Sequence, residues 1–131
     1  MDFPLIGLSE QMMWAIIACL VMMVFDIITG FMAAWKNKDI QSTKMREGLF
    51  HKSTLILLII LAWLCELFVM HVPDLGITIP LVIPACVIIF SMELVSITEN
   101  AAEINPELKD SKLLKLFNVS NDAEGNHAKR N

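Results

Sequence analysis

The chain has 131 residues, 56% of them hydrophobic and 18% charged, with a formal net charge of −4 and a mean hydropathy of +0.61. That hydropathy excludes an ordinary water-soluble globular domain, and the chain left outside the apolar runs is too short to build a catalytic core. An all-α membrane protein is expected, with no enzyme chemistry and no nucleic-acid partner.

Residues 1–11 form a short arm. It lacks the basic flank of a secretory signal, and the run that follows is too long for a signal core, so that run reads as a retained span. Three hydrophobic runs cover residues 12–35, 49–72 and 75–97. At 23 or 24 residues, each is roughly 35 Å long as α-helix, against a hydrocarbon core of about 30 Å.

In the first run Asp26 lies deep in the membrane, at a cost of about 2.5–3.5 kcal/mol, while the nine Ile, Leu, Val and Phe residues between Ile16 and Phe31 return about 3–5 kcal/mol. Helical spacing puts Ala15, Cys19, Asp26, Gly30 and Ala33 near one face. Gly30 and Ala34 form a small-xxx-small pair that favours helix contact. A basic connector at residues 36–48 follows.

The second run carries Glu66 near its outer end, one turn beyond Ala62. Glu66 has two readings at this point, an acid reaching the outer interface or part of an association surface. A turn around Asp74 leads to the third run, where Thr78 and Pro80 suit a helix start and Pro84 should weaken or kink it. Glu93, Ser96, Asn100, Glu103 and Glu107 then form one polar stripe running out of the membrane. Asn105 and Pro106 can open a short amphipathic helix carrying Leu108, Leu113, Leu114 and Phe117, within a segment at residues 99–118. Residues 119–131 read as a disordered tail.

The bases set the orientation. Lys36, Lys38, Lys44, Arg46 and Lys52 surround the connector, and Lys109, Lys112, Lys115, Lys129 and Arg130 lie near the end. Because basic loops stay inside, the expected topology is N-out and C-in, with three spans. Residues 36–52 carry five bases and two acids, net +3, which suits anionic inner-leaflet lipid. No Lys or Arg is placed inside a span by this reading, so Asp26, Glu66 and Glu93 must be protonated, hydrogen-bonded within a helix assembly or facing water. Cys19, Cys65 and Cys86 fall one in each run and read as small buried side chains. No metal-ligand spacing, phosphate-binding loop or catalytic set is present, and no cofactor is expected.

Asp26-x-x-Thr29-Gly30, Ala34-Trp35-Lys36-Asn37-Lys38, Ser42, Gly48-Leu49-x-x-Lys52 and Glu93-x-x-Ser96-Ile97-x-Glu99-Asn100, taken in order, resemble the bacteriophage holins of the toxin-secretion and phage-lysis type. The resemblance implies a homo-oligomer in the bacterial cytoplasmic membrane that opens large lesions and releases an endolysin or a toxin as cargo. On that reading Asp26, Thr29, Gly30, Glu66, Glu93, Ser96, Glu99 and Asn100 form the oligomer interface and lumen-facing surface, and the connector bases anchor the cytoplasmic side. A small ion channel or transporter subunit is the alternative.

Overall fold

A computed structural model describes residues 7–110. Three helices run alternately up and down: α1 (Glu10–Lys36), α2 (Ser42–His71) and α3 (Val82–Ile104). Among the described residues there is no strand, and all three helices are long and apolar enough to cross a membrane. The arm before residue 7, the amphipathic segment after residue 110 and the tail lie outside the described residues.

Each boundary has a local cause. Ser9 caps α1, its hydroxyl accepting from the Met12 amide at 3.3 Å. At the other end Lys38 turns left-handed, with φ of 54°, and its amide donates to Trp35 O while that of Asp39 donates to Ala34 O. These paired bonds satisfy carbonyls that a helix end leaves open. The connector is therefore short, and α2 begins at Ser42 rather than at residue 49. Hydropathy marks where a helix is embedded, whereas the polar residues before Leu49 are adequate helix formers and extend it.

Beyond α2, Pro73–Leu75 make one 3-10 turn. α3 starts at Val82, later than expected, which places Pro84 in the first turn. There a missing amide hydrogen costs nothing, so Pro84 need not kink the helix. After α3, the Asn105 side chain accepts from the Glu107 amide at 3.2 Å, opening a 3-10 turn at Pro106–Asp110.

The longest seam lies between α1 and α3, with α2 attached less extensively. Cys19, Met23, Val82, Cys86 and Ile89 close this seam, and Leu55 and Ile59 bring α2 onto it. The Cys19 thiol donates to Cys86 O at 3.1 Å. Cys65 departs from the expectation of burial: it is exposed on α2, on a surface shared with Leu57, Leu61, Leu64 and Phe68. Such outward apolar side chains cover all three helices, as a bilayer solvent requires.

Candidate functional site

The polar residues of the spans converge on one cluster. Asp26 from α1, Lys52 from α2 and Glu93 from α3 meet where the helices cross, the Lys52 ammonium lying 2.7 Å from Asp26 and pairing also with Glu93. Lys52 and Glu93 are buried, at 8% and 2% exposure. This corrects the expectation that no base lies within a span, and it removes Lys52 from the connector anchor. One ammonium between two carboxylates offsets much of the cost of placing either acid in the membrane.

Asn100 extends the cluster along α3. Its amide nitrogen donates to the Asp26 carboxylate at 3.0 Å and to the Thr29 hydroxyl at 3.1 Å. Gly30 faces the same amide: a methyl group there would lie 3.5 Å from it. The small-residue face of α1 thus meets α3 of its own chain. Among the described residues every buried side-chain nitrogen and oxygen has a partner.

Glu66 stands apart from this cluster, near the opposite end of the bundle. Its carboxylate accepts from the Leu81 and Val82 amides, both at 3.0 Å, and so caps α3, whose own cap residue makes no side-chain bond. A negative group at a helix N-terminus also opposes the helix dipole favourably. At the far end of α3, Lys36 donates to Glu103 O at 3.3 Å and Ile104 O at 2.5 Å. Glu99 is exposed on α3, off the cluster.

Residues 42–50 are all exposed, and Lys52 is the first buried residue of α2. The start of α2 therefore stands away from α1 and α3. On its α3 side lies a cavity of about 430 Å³ whose lining includes the polar residues Asp26, Lys44, Glu47, His51, Lys52, Glu93 and Ser96, together with Gly48 and Met92. In the connector, Lys44 lies 2.8 Å from Asp39, and hydrogen bonds from Lys44 and then Gln41 hold the Asp39 carboxyl below the ordinary carboxylate range. Lys38 and Arg46 are exposed.

The part played by Lys52 has a signal in the sequence. Lys52, Leu55, Ile59, Ala62 and Glu66 recur at helical spacing, so the lysine lies on the same inward stripe as the apolar residues that follow it.

A sequence profile of the bacteriophage holin family matches residues 5–120. No curated protein and no solved structure matches the chain. Holins are membrane pore-forming proteins and are not known as enzymes. With that match spanning most of its length, and with three helices able to cross a bilayer, the chain belongs to the bacteriophage holin family, as a multi-pass protein of the bacterial inner membrane with a role in phage lysis.

Proposed function

We propose that this holin associates with copies of itself in the inner membrane and opens lesions large enough for a folded endolysin to leave the cytoplasm. The observation that carries this reading is the cavity beside Lys44, Glu47, His51 and Ser96. A surface meant only for lipid has no use for such groups. Side-by-side copies could turn these faces toward one another and then toward water, giving a lesion a polar wall. Within one chain the groups of Asp26, Thr29, Glu93 and Asn100 already have partners, so Glu47 and His51, exposed at the cavity, are the first available to line it.

The orientation belongs to the same proposal. Lys36, Lys38, Lys44 and Arg46 at the connector end favour the cytoplasmic side, giving N-out and C-in. Lys52 no longer contributes to that count, and four bases against Asp39 and Glu47 still leave the end positive.

The test is induced expression in cells holding an endolysin that has no export signal of its own. Abrupt lysis, with endolysin activity outside the membrane, is the expected result. Depolarisation with the endolysin retained inside would overturn the proposal in favour of a small ion channel.

A further inference from the structure

The α1 side of the raised start of α2 differs from its α3 side. Here a crevice of about 470 Å³ runs between the two helices. It extends from Asp26 to Ala34 on α1 and from Lys44 to Lys52 on α2, about 12 Å along each axis. Its walls are apolar, formed by Ile27, Ile28, Phe31, Met45 and Leu49. Gly48 leaves the space open, since a methyl group built there would meet nothing within 4 Å.

The mouth of the crevice has the opposite chemistry. Asp39, Gln41 and Lys44 lie there, at the connector. Gln41 donates to Asp39 at 2.6 Å, and Lys44 sits 2.8 Å from the other carboxylate oxygen. Both charged side chains remain more than half exposed, at 51% for Asp39 and 63% for Lys44, so each can take a further partner.

We propose that this crevice holds one zwitterionic aminophospholipid from the leaflet on the connector side. One acyl chain lies along the apolar walls, the phosphate meets Lys44 and the ammonium meets Asp39. Water is a poor occupant between such walls. The opposite charges side by side at the mouth match a headgroup that carries both signs. An anionic headgroup lacking an amine would satisfy Lys44 but meet the Asp39 carboxylate with like charge. The proposal goes beyond lesion formation and does not depend on it.

The full chain is reconstituted in vesicles of equal phosphatidylethanolamine and phosphatidylglycerol, extracted in mild detergent and weighed by native mass spectrometry. The wild type should retain one phosphatidylethanolamine per chain. Gly48→Leu fills open space with a better helix former, so it should keep its helicity by circular dichroism while retention falls about tenfold. Asp39→Asn should shift retention toward phosphatidylglycerol. Equal retention of both lipids by the wild type, or undiminished retention by Gly48→Leu, would overturn the proposal.

Discussion

The seam between α1 and α3 and the attachment of α2 are held by different physics. Along the seam, small and apolar side chains such as Cys19, Ala33, Cys86 and Ala102 let two helices approach closely, and Asn100 and the exposed Lys36 add hydrogen bonds to that packing. α2 joins through Leu55 and Ile59, and two of its polar ties are charged: Lys52 to the two carboxylates and Glu66 to the start of α3. Packing is insensitive to charge, whereas the hold on α2 can be weakened by changing a single ionised group. The helix best placed to move is therefore the one whose first turns already stand clear.

Removing the central ammonium should have the largest effect. Lys52→Met leaves Asp26 and Glu93 facing each other uncompensated, and breaking such a buried pair costs about 3–5 kcal/mol. Thermal unfolding in detergent should register this loss, with most of it recovered when Asp26→Asn and Glu93→Gln are added. Failure of the added pair to restore stability would show that Lys52 acts through packing of its stem instead.

A smaller loss is expected from the seam. Gly30→Leu drives extra carbons toward the Asn100 amide, and overpacking of this kind costs about 1–3 kcal/mol. The same unfolding assay ranks the two sites, and a larger loss here than for Lys52→Met would reverse the comparison. Smallest of the three, Glu66→Ala should cost about 1 kcal/mol as a lost cap. It should be visible as faster hydrogen exchange at the Leu81 and Val82 amides, with exchange around Lys52 unchanged.

Much of this arrangement is legible in the sequence, and the part that is not has a physical reason. The three spans follow from hydropathy alone, because bilayer thickness dictates the length of each run. The inward face of α1 follows from helical spacing, which groups Cys19, Asp26, Gly30 and Ala33. Lys52 is harder to read: a lysine near the edge of an apolar run resembles an interfacial anchor, and its helical register with Leu55, Ile59 and Glu66 is the only sequence signal that it faces inward. Glu66 is hidden differently, since its amide partners, Leu81 and Val82, open α3 after an irregular stretch whose path no periodicity fixes. The late start of α3 and the identity of its cap are one event, and neither can be read without the other.

α3 owns neither of its caps. Its first amides are satisfied by Glu66 of α2 and its last carbonyls by Lys36 of α1, so both ends depend on segments synthesised earlier. When α3 reaches the membrane, its two neighbours have already set out the charges that define where it begins and stops. A shortened product ending before α3 would leave Lys52 without Glu93 and Glu66 without its amides, three-part work begun and not closed. Formation of α3 thus closes the polar ties that α1 and α2 leave open.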